Sequence, residues 1–336
     1  MNRSFFLAVA LFIAESSVQA QFTVPDAAFA TKLNQIVPAA MSGNVLDTSH
    51  PSVLALTYMN VNGAGIYDLD GIQYFTGLQT LLCSVNYLTT MPALPDAIQQ
   101  LECHMNDLVS FTSLPASLTQ LFCYDNQLTS LPALPPNLDW LVCYENELTA
   151  LPALPNTITE IACSDNALTG LPALPTSLER LLCRNNPQMV TMPALPAGLT
   201  ELNSDNCGLT VLPTLPAGLL LLYCDDNALP VLPTLPAALR QLTYTAKSSR
   251  ALPALPATLE VLHCSQNQLT VLPALPASLR YLICYSNTLG GLPALPNALH
   301  TLQPLDVGEP RVAAHADRVG GVRRTGGHST IRVAGH

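Results

Sequence analysis

Cysteines at positions 83, 103, 123, 143, 163 and 183 stand 20 residues apart, and Cys224, Cys264 and Cys284 resume the same beat. A unit this short cannot enclose a core by itself, so its copies must stack and share one. The 336 residues are therefore expected to form one elongated array, not two globular domains. Function is then sought on a repeated surface before any pocket.

The unit reads L-x-x-L-x-C-x-x-N-x-L-T-x-L-P-A-L-P-x-x, as in Leu138 through Pro155, and recurs about eleven times. The x-x-L-x-C stretch predicts a short parallel strand. The asparagine that follows, kept at Asn86, Asn106, Asn126, Asn146, Asn166, Asn186, Asn227, Asn267 and Asn287, is expected to turn the chain. Its amide can bond backbone groups orphaned where the strand bends and so link one unit to the next. In one copy Ser204 holds the cysteine slot and Cys207 the asparagine slot. The return arm L-P-A-L-P cannot be a helix, since two prolines three residues apart remove donors and fix φ; an extended, polyproline-like course is expected. Weak points, with fraying or a bulge, are expected at Phe111, which lacks a following proline, and at Tyr244 to Ser249.

Over residues 53–303 this pattern resembles the short bacterial class of leucine-rich repeats. The resemblance implies a solenoid of short parallel strands on one face and proline-rich return arms, with very little helix apart from an N-terminal cap. It also implies a secreted or cell-surface interaction module, a class that often carries a C-terminal sorting domain. The L-P-x-L-P arm is similar to repeats of type III effectors, some of which end in a ubiquitin-ligase domain with a catalytic cysteine. No cysteine follows Cys284. The alternative reading is thus the recognition portion of a truncated protein whose missing part would anchor it or act as such an enzyme.

The flanks differ from the array. Residues 1–20 combine Arg3, an apolar run from Phe5 to Ala14 and Val18-Gln19-Ala20, the pattern of an export signal whose apolar run is too short to span a bilayer. Residues 21–52 lack the repeat and carry Phe29, Leu33, Ile36 and Val37 at helical spacing behind Pro25, as expected of a cap over the end of the core. Residues 304–336 have no leucine beyond Leu305, and hold five arginines against three acids. That shift reads as a basic tail that is disordered or out of frame.

Ten cysteines in an exported chain would ordinarily suggest disulfides. Here they fall in one slot of successive strands about 4.8 Å apart, side by side, and such a column presents neither the Cβ vectors of a disulfide nor four convergent zinc ligands. Buried thiols acting as small hydrophobes are expected, with no metal and no cofactor. Residues 21–303 carry 19 acidic and 7 basic side chains, which disfavours nucleic acid and anionic membrane as partners. No hydrolase, zinc-protease, P-loop or dinucleotide motif occurs, so no enzymatic activity is expected.

What the array can do is display. The residues beside each leucine and cysteine vary freely, and aromatics gather there: Phe122, Tyr124, Trp140 and Tyr144, then Tyr223, Tyr281 and Tyr285. Such side chains anchor protein interfaces, and they also suit exposed strands by propensity alone. A protein partner is expected, with a glycan as the alternative. Opposite charges align at Glu160, Arg180 and Glu201, and at Arg184, Asp205 and Asp225. Asp205, Asp225 and Asp226 offer too few oxygens for calcium, so a solvated acidic patch is expected. His104 and His263 stand apart in sequence and receive no role.

Overall fold

The computed structural model describes residues 20–246 and 249–303. The expected export signal, apart from its last residue, and the expected tail lie outside them, as does Lys247. The N-terminal unit pairs β1 (Gln21–Thr23) and β2 (Met41–Ser42) with a central β3 (Val45–Asp47), all antiparallel, around helix α1 (Ala27–Ile36). Asp26 begins that helix: one carboxylate oxygen accepts the Phe29 N–H at 2.8 Å, satisfying an otherwise orphaned donor. Its other oxygen accepts the Tyr67 N–H at 2.8 Å, so a single side chain ties the helix to the first repeat. Phe29 and Leu33 are buried in the same core as Leu69, Ile72 and Phe75. At Gly71, with φ at +111°, a Cβ would stand 3.1 Å from the Phe22 ring, and this close approach requires glycine.

After a short helix, α2 (Pro51–Leu54), thirteen three-residue strands form one parallel sheet in sequence order. They are β4 (Tyr58–Asn60), β5 (Thr80–Leu82), β6 (Gln100–Glu102), β7 (Gln120–Phe122), β8 (Trp140–Val142), β9 (Glu160–Ala162), β10 (Arg180–Leu182), β11 (Glu201–Asn203), β12 (Leu221–Tyr223), β13 (Gln241–Thr243), β14 (Val261–His263), β15 (Tyr281–Ile283) and β16 (Thr301–Gln303). From β4 to β15 the middle residue is buried and its neighbours are more exposed, except that Ala162 on β9 and Thr243 on β13 are buried too. Each buried leucine contributes about 1.5–3 kcal/mol over an exposed one, and stacking makes that burial continuous.

The return arms lie outside helix and sheet. In each, the second proline's carbonyl accepts the N–H three residues on, as in Pro115 from Leu118 at 3.1 Å, a turn that redirects the chain into the next strand. At the other end, the residue before the conserved asparagine takes a left-handed conformation in nine units, and Asn206, before Cys207, does so in a tenth, with φ between 49° and 58°.

The asparagines act as the ladder predicts. Asn146 Nδ2 donates to the carbonyls of Cys123, Cys143 and Tyr144, and its Oδ1 accepts the Leu128 N–H at 3.0 Å. Each such amide thus ties its own unit to the preceding one. Where the types are exchanged, the bonds are redistributed: Cys207 Sγ donates to the Cys183 carbonyl at 3.0 Å, Ser204 Oγ to the Tyr223 carbonyl at 3.3 Å, and Asn227 Oδ1 accepts both the Cys207 and Leu209 N–H groups.

Phe111 does not fray, and of the second expected weak point the residues 247–248 lie outside the described residues while those around them are ordered into the array. Phe111 is buried and forms a parallel bridge to Met91. β13 keeps full register with both neighbours, because Tyr244, fully buried in the cysteine slot, supplies bulk where Ser249 stands in place of leucine. The Tyr244 hydroxyl donates to the Leu229 carbonyl at 2.8 Å. All ten cysteines are buried free thiols; burial pushes Cys123 up to about 12 and raises Cys103, Cys143 and Cys224 as well, which keeps these thiols protonated and unreactive.

Candidate functional site

Three outward columns run along the strand face: the first strand residue, the third, and the residue after the cysteine. In-register pairing at about 4.8 Å places equivalent side chains of neighbouring units at ring-stacking distance. Tyr124 and Tyr144, both after a cysteine, stack with centroids 4.4 Å apart and planes 13° from parallel. His104 continues the stack at 4.3 Å and 7°, and its Nδ1 bonds Ser84 Oγ at 2.9 Å. Thus Ser84, His104, Tyr124 and Tyr144 form one column over four consecutive units. His104 was missed in sequence although it lies one period before Tyr124; that spacing is the signal that finds it.

Burial lowers the His104 pKa, against the pull of Glu102 and Asp125, which favours the neutral ring in the stack. Burial also raises Tyr124, opposed by its hydrogen bond with Tyr144. Beside this column, Phe122 meets Trp140 edge to face at 6.2 Å and 83°. Phe122 is half-buried and Trp140 is 38% exposed. Four of the aromatics chosen from sequence are therefore brought together on β7, β8 and their following turns.

The other three are not part of that group. Tyr223 stands half-buried on β12, with burial, then Glu201 and Asp205, raising its hydroxyl. Tyr281 is exposed on β15, and Tyr285 follows Cys284, its ring 6.4 Å from His263. They lie four to seven strands from β8 in the sheet order. His263, like His104, has a partner in Ser265 and a neighbouring ring.

Between the two aromatic groups lies a charged stretch. Arg180 bridges Glu160 at 2.8 Å and Glu201 at 3.0 Å, and Arg184 reaches Asp165 at 3.5 Å. Of the acidic residues that follow, Asp226 is exposed, as expected of a solvated patch, but Asp205 and Asp225 are not freely solvated. Asp205 and Asp225 are half-buried, and each carboxylate accepts a backbone N–H from the next unit, Asp225 at 2.7 Å and Thr245 at 2.8 Å respectively. Desolvation, then the charge of Asp225, push Asp205 up to about 7. These carboxylates staple repeats together, which the sequence pattern alone did not reveal. No group of three metal-ligating side chains occurs among the described residues, and no described helix is long and apolar enough to cross a membrane.

No protein-family model matches the sequence, and a comparison with curated proteins finds no match. Solved structures do match. YopM from Yersinia enterocolitica WA-314 superposes with a TM-score of 0.65 at 36% identity over 69% of this chain, which spans about half (51%) of that protein. The leucine-rich repeat domain of APL1B gives a TM-score of 0.61 at 22% identity, covering 75% of this chain and 81% of its own. The geometry and these likenesses agree: the chain has the leucine-rich-repeat solenoid fold.

Proposed function

We propose that the protein is an exported, non-enzymatic binding module that recognises a protein partner through the strand face of β7 and β8. The observation that carries this reading is the pair of neighbouring aromatic sets on these strands, the His104–Tyr124–Tyr144 stack and the Phe122–Trp140 edge-to-face pair, each ordered by its own ring contacts. Rigid aromatics lose little conformational entropy on binding and serve as interface anchors. Because Tyr124 lies between His104 and Tyr144, its ring faces are occupied and its edge points outward. Sugar recognition by stacking needs open ring faces, so the arrangement favours protein over glycan.

A shallow depression on the return-arm side is lined by Ala194, Leu195, Pro213 and Leu215 among other residues, none of them titratable. Its one hydroxyl, Thr214, has no acid or base beside it in that lining. Export rests on the Met1–Ala20 pattern.

The test is affinity capture from extracellular protein fractions with the native chain and the double variant Trp140→Ala/Tyr144→Ala. At least one protein should be retained about fivefold less by the variant, as follows from loss of about 1 kcal/mol at an anchor. Equal retention of every captured protein would refute the assignment of this face.

A further inference from the structure

The N-terminal units carry a second surface, on the edge where each strand turns into its return arm. In later units the left-handed position of this edge is always polar: Asp125, Glu145, Asp165, Asn185, Asp226, Gln266 and Ser286 before the asparagine, and Asn206 before Cys207. The position after the asparagine is Gln127 and Glu147 in the next two such units and Ala167, Pro187 or Ala228 among those further on, never aromatic. In the first units the same slots hold Val85 and Met105, and Tyr87. Tyr67 and Val109 likewise stand where Thr89, Thr129 and Thr149 stand in other copies, a slot that is apolar again at Val190. All five apolar residues of the first units are 45–64% exposed, and Tyr67 and Tyr87 stack with centroids 4.9 Å apart.

Val85 is the telling residue. Its φ is +58° and Met105's is +55°, a region where a Cβ crowds the backbone and a β-branched side chain is an outlier. Asparagine or aspartate adopts it readily, and most other units use polar residues there. Neither residue gains burial in return for this conformation, so local folding does not account for them. Contact with a partner would.

The charge around the patch selects that partner. From residue 33 to residue 179 the chain has thirteen acidic side chains and neither lysine nor arginine. Asp107 and Asp125 occupy the slots immediately following Tyr87 and Met105 along the edge. An anionic lipid or nucleic acid is repelled by this field. We infer that the edge formed by Tyr67, Val85, Tyr87 and Met105 docks a polypeptide segment that combines apolar anchors with lysine or arginine. This surface borders the aromatic strand face but does not depend on it.

The test uses the full chain as bait for a displayed library of random twelve-residue peptides. Enriched peptides should pair aliphatic or aromatic residues with lysine or arginine, and should bind Val85→Asn/Met105→Asn at least tenfold more weakly. That variant relieves the left-handed strain, so its urea midpoint should equal or exceed the parent's while its binding falls, an outcome that damage to the fold cannot produce. Tyr87→Gln, the residue of the Gln127 slot, provides an independent second variant with the same expected loss. No enrichment, acidic enriched peptides, or equal binding to these variants would overturn the proposal. Peptides weakened by Trp140→Ala/Tyr144→Ala alone would sink it while leaving the strand-face reading standing; the reverse pattern would uphold it and count against that reading.

Discussion

Replacing Asp205 with asparagine should make the protein more stable at pH 8 and leave it unchanged at pH 4. The carboxyl is raised from 3.8 to about 7, chiefly by burial and then by Asp225, while the Asp225 N–H and Arg184 oppose the rise. Between those two values the folded chain retains a proton that the unfolded chain has released. Native stability therefore falls as pH climbs through that window, and the loss is complete above about 7. Three pKa units correspond to about 4 kcal/mol. Residual contact with water at a half-buried carboxylate, and the lost attraction of Arg184, reduce the net gain to about 2 kcal/mol. Asparagine preserves the structural bond, since Asn62 in the same column already accepts the Ser84 N–H at 2.7 Å. Urea unfolding of the full chain under reducing conditions at pH 4, 6 and 8 measures the effect. A gain that does not vary with pH, or a variant less stable than the parent at pH 8, would refute the reasoning.

Other outcomes follow from the same geometry. Asn146→Ala strands the Leu128 N–H and removes donors to three carbonyls, so the urea midpoint should reveal a loss of about 3 kcal/mol; a loss under about 1 kcal/mol would mean that the amide ladder is dispensable. Tyr244→Phe should cost about 1–2 kcal/mol in thermal or urea unfolding by orphaning the Leu229 carbonyl. The ten buried thiols should resist a colorimetric disulfide reagent at pH 8 in the native chain and all react in denaturant; rapid native labelling would contradict their burial.

The repeat was legible because its physical cause is local. Leu141, Cys143 and Asn146 occupy slots where only a buried apolar group or a turn-bonding amide fits, so their spacing alone implied strand, core and ladder. Compensation between slots was not legible. Tyr244 makes good the missing leucine at Ser249 only because the two side chains meet inside the core, and a pattern read slot by slot registers two defects instead. Phe111 was misjudged for the same reason, its missing proline being offset by the bridge to Met91.

The site was half legible. Variation around Leu121 and Leu141 exposed the aromatic group, yet His104 was passed over because its stacking depends on a ring one unit away. The edge at Val85 and Met105 was invisible in sequence, since nothing in the residue types shows that their slot requires a positive φ. Asp205 and Asp225 looked like surface charge because their acceptors' partners are backbone N–H groups, which a sequence does not display.

The most direct test of the binding face is photo-crosslinking from two positions on the native chain, with benzoylphenylalanine placed at Gln120 on the strand face or at Ala153 on the exposed return arm. A captured partner should crosslink from position 120 and not from position 153. Crosslinking from position 153 alone would place recognition on the return arms and contradict the strand-face reading.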